Sequence, residues 1–337
     1  MNSLSGTAVA ALLLACLAWA SEKPATVPTV VPRLTCAAPQ SQDQDDMCFW
    51  VHPTDPARSL VIASDKKANR LFVYDLEGKT LQTLEAKQPG NIDVRTGFLL
   101  GKERVDIVAF NQRADSHLVV YRVDPATRRL IRVDNGAIAT GENYGGTLYR
   151  SPKTGKYYFV VTSKPGLVTQ IELNNDGKGR VGGEKVRTWR IGKTEAAVAD
   201  DETGQLYIAD EERGVWQVGG EPGDPTPGRL VIRRGEHGLV GDVEGLALYP
   251  QPGGAGYLVV SNQRASDFKV YQRGPGHAYV GTFRVQGARD TDGLDICSAN
   301  LGPRFPRGLF ACHTATKGAI LLVPWEAIAR TLPAPTK

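Results

Sequence analysis

The feature that most constrains this chain is a unit repeated along almost its whole length. A short apolar run ends in a polar loop, and a second run follows with an aromatic residue near its end. LVIASDKKANRLFVYDLEGK, VDIVAFNQRADSHLVVYRVDP, YYFVVTSKPGLVTQIELNNDG, LYIADEERGVWQV and YLVVSNQRASDFKVYQRG are five instances. Each reads as two β-strands joined across a polar loop, and the units recur at a spacing of roughly 40–55 residues. One such unit cannot bury its own apolar faces, whereas stacked neighbours can. Short strands and regular turns in repeated units predict an all-β chain folded as a β-propeller, and about 300 residues at that spacing give roughly six blades. The 37 Gly and 21 Pro punctuate the apolar runs, as expected of turns rather than helices. Only VPWEAIARTL, near the end, reads as helical.

The flanks carry separate signals. Residues from Ala8 to Leu17 are apolar and are followed by Ala18-Trp19-Ala20, the small-x-small pattern of a cleaved export signal. Residues 1–20 are therefore expected to be a signal peptide, 21–35 an extended linker rich in Pro, Thr and Val, and 36–337 the propeller domain. The mature chain is expected to be secreted or periplasmic. Leu13-Leu14-Ala15-Cys16 offers the alternative of a lipid anchor at Cys16, as in an outer-membrane lipoprotein. Nothing later in the chain is long and apolar enough to span a bilayer. Cys36, Cys48, Cys297 and Cys312 remain after cleavage; their even number in an exported chain suggests one or two disulfides. Their spacing does not suggest zinc. A net charge of +4 with no Lys/Arg run argues against a nucleic-acid partner. A monomer acting on a small molecule is expected.

Chemistry concentrates in the loops after the first strand of each unit. They hold Asp65, Lys66 and Lys67; Asn111, Gln112 and Arg113; Lys164; Asp210, Glu211 and Glu212; and Asn262 and Gln263. In a propeller, equivalent loops meet on one face around the central channel. Carboxylates form a second set at Asp45-Asp46, Glu195, Asp242, Glu244 and the run Asp290 to Asp295, while Asp200-Asp201-Glu202 reads as a polar turn. Clustered carboxylates repel unless a cation intervenes, and hard oxygen donors suit Ca²⁺ better than zinc. A site holding both cations and carboxylates can bind an anion if metal ions bridge the two. That combination suits phosphoryl transfer to a metal-activated water, with Lys and Arg balancing charge on the phosphoryl oxygens.

At these residues the chain resembles the β-propeller phytases, a calcium-dependent alkaline phytase family. The resemblance runs in order from about Asp45 to Ile328. It rests on DDMCFWVHPTDP, SDKKANRLFVYDLEGK, NIDVRTGF, VDIVAFNQR, NYGGTLYRS, VTSKPG, KTEAAVADDETGQLYIADEERGVW, GDVEGLALY, GYLVVSNQ, DTDGLDI, LGPRFPRGLF and VPWEAIA. It implies a six-bladed propeller holding several structural and catalytic Ca²⁺ ions, which hydrolyses phytate or calcium-phytate to inorganic phosphate and lower inositol phosphates. By resemblance, Lys66, Arg113, Tyr144 and Lys164 serve the cleavage site and Lys67 the neighbouring phosphate. Bridging calcium falls to Asp45, Glu195, Glu211, Asp242, Glu244 and Gln263; Glu195, Asp242 and Glu244 thereby count among the catalytic residues. Buried calcium falls to Asp46, the backbone around Met47 and Ile92, and Asp292. Three local departures stand out: Asp45-Asp46-Met47-Cys48 where the family has Asp-Asp-Pro-Ala, Glu195-Ala196 where it has Glu-Gly, and Ala311-Cys312-His313-Thr314 where it has Gln-Asp-Gly. The stretch before Asp45 also lacks a clear acidic match to an upstream family ligand. The competing readings are another calcium-dependent propeller hydrolase, such as a lactonase, and a non-catalytic ligand-binding propeller.

Overall fold

The computed structural model describes residues 26–333, so the export signal and Cys16 lie outside the described residues. Six antiparallel sheets form a closed ring. Their innermost strands are Gln44–Trp50, Pro89–Leu100, Gly145–Arg150, Thr194–Asp200, Val243–Pro250 and Leu294–Cys297, in blades 1 to 6. The second strands are Leu60–Asp65, Glu103–Gln112, Tyr157–Thr162, Gln205–Asp210, Gly256–Asn262 and Leu309–Thr314.

Burial explains the ring. All seven residues of Gln44–Trp50 are buried, whereas the outermost strand of that blade, Thr80–Glu85, is largely half-exposed. An inner strand is covered on both faces by neighbouring blades and so is buried along its length, its first polar residues included; the equally buried second strands, such as LVIASD and YYFVVT, read as near-continuous apolar runs. An outer strand needs only one apolar face. Six apolar clusters result, one between each pair of adjacent blades. The cluster joining blades 6 and 1 packs Leu309 and Ala311 against Phe49, Val61 and Phe72, and so closes the circle.

Part of the segment expected to be a linker, within its described residues, is built into the fold. Leu34–Cys36 pairs antiparallel with Ala319–Pro324, supplying the outermost strand of blade 6 from the other end of the chain. Thr29–Val30 adds a parallel strand to the edge of blade 5. Joining the termini within one sheet closes the ring by hydrogen bonds. The short helix Trp325–Ala329 follows.

The disulfide expectation is overturned: all four described cysteines are free and buried. Cys297 pairs in register with Leu309, and Cys312 with Leu294, so the two are offset along their strands. They also face different inter-blade cores, as do Cys36 and Cys48. They pack as small apolar side chains, and burial pushes the thiols up, that of Cys297 to about 12.

Candidate functional site

Antiparallel pairing of the inner two strands creates the site. Each inner strand begins, and each second strand ends, on the same face of the ring. Asp65 faces Gln44, Gln112 faces Pro89, Thr162 faces Gly145, Asp210 faces Thr194 and Asn262 faces Val243. The five polar loops recognised in the sequence therefore converge. In the sixth blade the corresponding position is the end of Leu309–Thr314, which contributes His313 from the strand itself.

The inner strands add a device that strand periodicity does not reveal. In four blades the register slips at this end: between Gln44 and Asp46, Pro89 and Ile92, Thr194 and Ala197, and Val243 and Leu246. The residues caught in these bulges are Asp45, Gly90-Asn91, Glu195-Ala196 and Glu244-Gly245. A bulge breaks the in-out alternation and re-aims a side chain. Here it brings Asp45, Asn91, Glu195 and Glu244 around one small cavity together with Asp292.

The cations lie against these carboxylates. Lys66 Nζ is 2.5 Å from Asp45 Oδ1, 3.5 Å from Asp292 Oδ2 and 3.8 Å from Asp43 Oδ2. Lys67 Nζ is 3.0 Å from Asp43 Oδ2. Arg113 Nη2 reaches Glu195 Oε1 at 2.6 Å and Asp45 Oδ2 at 3.2 Å, while its Nε donates to the Tyr144 carbonyl at 2.7 Å. The Tyr144 ring packs against two cations, with the Arg113 guanidinium carbon 4.7 Å and Lys164 Nζ 4.4 Å from its centroid.

Beside them Glu195, Glu211 and Glu244 are all buried, with carboxylate oxygens within 4.8 Å of one another. Burial and the charges of Glu195, Glu211 and Asp292 push the Glu244 carboxyl well above its usual range. Burial likewise raises Glu211, against the pull of Lys193. It takes Asp292 up to about 6, against the pull of His313 and Lys66. The Oε1 atom of Glu211 is buried with no hydrogen-bond partner, a costly state for a carboxylate oxygen. Three close hard-oxygen donors, one of them unpartnered, fit a calcium-type cation.

Other expected residues are spread more widely. Asp242 sits at the rim, 3.1 Å from Arg264 Nη2. Gln263 donates its amide to Asp292. Asp46 points deeper, where its Oδ2 accepts the Ile92 N–H at 3.0 Å; a chamber there is lined by Asp46, Met47, Asn91, Ile92, Asp93 and Asp295. The Asp292 side chain groups with Lys66 and His313 rather than with that chamber. Asp200 is more than a polar turn: it forms a two-point ion pair with Arg273, with contacts of 2.5 and 2.6 Å, at the far end of its inner strand from the site.

Several residues at the site were not singled out in the sequence. Asp43, two positions before Asp45, is a buried acid in the stretch that lacks a clear match to the upstream family ligand. It binds Lys66, Lys67 and His313, with His313 Nε2 at 3.4 Å, and these partners hold its carboxyl well below the usual range although burial opposes them. Asn91 leaves its buried Oδ1 unpartnered. Lys193 pairs with Glu211. The QDQDD context could have flagged Asp43; Asn91 and Lys193 open the family-like stretches NIDVRTGF and KTEAAVADDETGQLYIADEERGVW, and that placement is the signal that could have found them.

Gly293 holds the floor together. A methyl there would overlap both Asp46 Oδ1 and the Asp45 carbonyl, so Gly293→Ala is expected to cost about 1–3 kcal/mol of stability. Denaturant unfolding of the two proteins, both stripped of metal, checks this; equal midpoints would show that the floor is loosely packed.

Comparison with known proteins agrees with this geometry. A family model described as phytase matches residues 3–332. The 3-phytase of Bacillus subtilis (strain 168) is 39% identical over 310 residues, covering 86% of this chain and 81% of the relative. Among solved structures, a calcium-binding protein, regucalcin from Agrobacterium tumefaciens, superposes with a TM-score of 0.54 at 11% identity over 86% of this chain and 88% of its own. A luciferin-regenerating enzyme does so with a TM-score of 0.54 at 11% identity over 84% of this chain and 88% of its own. At that identity the likeness concerns the propeller fold alone.

Proposed function

The chain belongs to the phytase family, and from that premise we propose that it is a secreted, calcium-dependent enzyme whose centre is the Glu195, Glu211 and Glu244 group with its surrounding cations. Phytase activity follows from the family, as does a small-molecule substrate. No described helix is long and apolar enough to cross a membrane. The observation that carries the finer reading is three close buried carboxylates, flanked by Lys66, Arg113 and Lys164 on one face.

In this reading Lys66 and Arg113 grip the oxygens of the phosphate being cleaved, and Lys164 contacts the same group. Tyr144 fixes Arg113 and Lys164 through its ring, and Arg113 also through its carbonyl. Lys67 takes the neighbouring phosphate. Asp45, Glu195, Glu211, Asp242, Glu244 and Gln263 would hold the bridging calcium ions, with Asp292 beside them, and Asp46 with the Met47 and Ile92 backbone the buried ones. Calcium bound there supplies charge balance between carboxylates and phosphate and a more acidic water. Lys66 and Arg113 each rest on carboxylates that such ions would neutralise, so both are available to phosphate only when the acidic side is balanced. Water adds to phosphorus as the P–O ester bond breaks, giving inorganic phosphate and a lower inositol phosphate.

The test is phosphate release from phytate by the purified mature chain, with and without a chelator, followed by add-back of calcium, magnesium or zinc. Activity abolished by chelation and restored by calcium alone is the expected result. Equal restoration by zinc would refute the calcium assignment, and release unaffected by chelation would refute the metal centre.

A further inference from the structure

Lys193 is absent from the roles assigned above, yet its position is tightly specified. It ends the loop that enters Thr194–Asp200, and its carbonyl accepts the Glu211 N–H at 3.0 Å while its ammonium ion-pairs with Glu211 Oε2. The loop can lie this close only because residue 192 is glycine: a methyl there would run into the Asp210 carboxylate and the Arg213 guanidinium. The same loop is stitched to the one carrying Lys164. Ile191 N–H donates to the Gly166 carbonyl at 3.0 Å, and the Thr194 N–H and hydroxyl reach the Ser163 carbonyl at 3.4 and 3.3 Å. Lys164 and Lys193 thus ride on two hydrogen-bonded loops at one face.

The two ends of this ion pair differ in freedom. Glu211 is 3% exposed and fixed among Glu195 and Glu244, whereas the Lys193 side chain is 43% exposed. A long, half-exposed ammonium can leave for solvent or another anion at little cost; the carboxylate cannot move. A divalent cation entering at the open Glu211 Oε1 shares that carboxylate with the Lys193 ammonium on Oε2, so the two positive charges repel across it and the ion weakens the hold of Lys193. Once displaced, the ammonium is a free positive charge on the blade next to the one that carries Lys164, across the ring from the blade of Lys66 and Lys67.

We propose that Lys193 alternates between Glu211 and a substrate phosphate flanking the one being cleaved, so that the cation and a polyphosphorylated substrate reinforce each other's binding. The inference rests on the cation-dependent phytase reading above and adds the residue that couples ion to substrate. Such coupling is reciprocal, and its usual size is about five-fold or more.

Calorimetric titration of calcium into metal-stripped protein tests it, without and with myo-inositol hexasulfate as a non-hydrolysed polyanion. Without the polyanion, Lys193→Met is expected to bind calcium about five-fold more tightly than the native chain, because the repelling charge is gone. With it, the native chain gains affinity and the variant does not, and KM for phytate rises in the variant by more than kcat falls. Lys193→Arg, which keeps the charge, follows the native pattern. Equal or weaker calcium binding by Lys193→Met, or an equal gain from the polyanion in both proteins, would overturn the proposal. A Glu211→Gln protein that titrates calcium like the native chain gives a distinct result: it removes the metal-centre reading itself, and the coupling with it.

Discussion

Replacing Arg113 with alanine lowers kcat for phytate by about 10²-fold or more, while the calcium-loaded protein stays folded. The size follows from how many positions this side chain fixes. Its Nη2 bridges Glu195 and Asp45, its Nε is held by the Tyr144 carbonyl, and its guanidinium carbon lies over the Tyr144 ring. The fork is therefore already aimed before substrate arrives, so little reorganisation remains when charge moves onto the phosphoryl oxygens. Arg113→Lys should rescue poorly, since a single ammonium cannot occupy the Tyr144 carbonyl and the carboxylates together. Lys66→Ala should show a similar fall. The measurement is steady-state phosphate release at saturating calcium, with circular dichroism to confirm the fold. An Arg113→Ala enzyme within about three-fold of native would remove this residue from the transition state.

How much of this could be read in advance divides along physical lines. The blades were legible because Leu60–Asp65 or Tyr157–Thr162 must be continuously apolar to sit between neighbours, and the polar loops after them were legible by recurrence. Five of the six loops could be seen. The sixth blade supplies its site residue, His313, from the end of the strand itself with no charged loop after it, so only its departure from the family pattern marked it. Glu195 and Glu244 were legible as clustered carboxylates and their calcium role through the resemblance, but not their aim into one cavity, because the bulges that set it leave no periodic trace. The ends of the ring were read as a linker for a different reason. Thr29–Val30 and Leu34–Cys36 are short and Pro-flanked, and their partners lie near the other end of the chain. Pairing at that separation is a property of the closed ring, invisible in a local window. The cysteines misled because export raises the prior for disulfides, whereas each of these thiols faces an apolar inter-blade core.

Removing metal should destabilise the protein far more at alkaline than at acid pH. Without cations the acidic groups of the site and channel lose their natural partner. Burial takes the Asp295 carboxyl up to about 7 and Asp292 to about 6, and holds Asp46 and Glu244 well above their usual ranges. An unfolded carboxyl titrates near pH ~4, so each group binds its proton more tightly in the folded state. The stability these protons contribute is complete below that unfolded value and is lost as the pH rises through about 6 for Asp292 and about 7 for Asp295. Calcium reverses the sign, because it binds only the ionised, folded groups. The melting temperature of the chelated protein should therefore fall between pH 5 and 8, while that of the loaded protein stays level or rises. One site held at a hundred times its dissociation constant contributes about 2.7 kcal/mol, so for a folded domain of this size the gap at pH 8 should reach about 4 °C per site lost. Scanning calorimetry at both pH values, with and without chelator, makes the comparison. A gap that is independent of pH, or wider at pH 5, would mean that these carboxylates are balanced by Lys66, Arg113 and Lys193 alone, and that cations contribute nothing to holding the ring's acidic core.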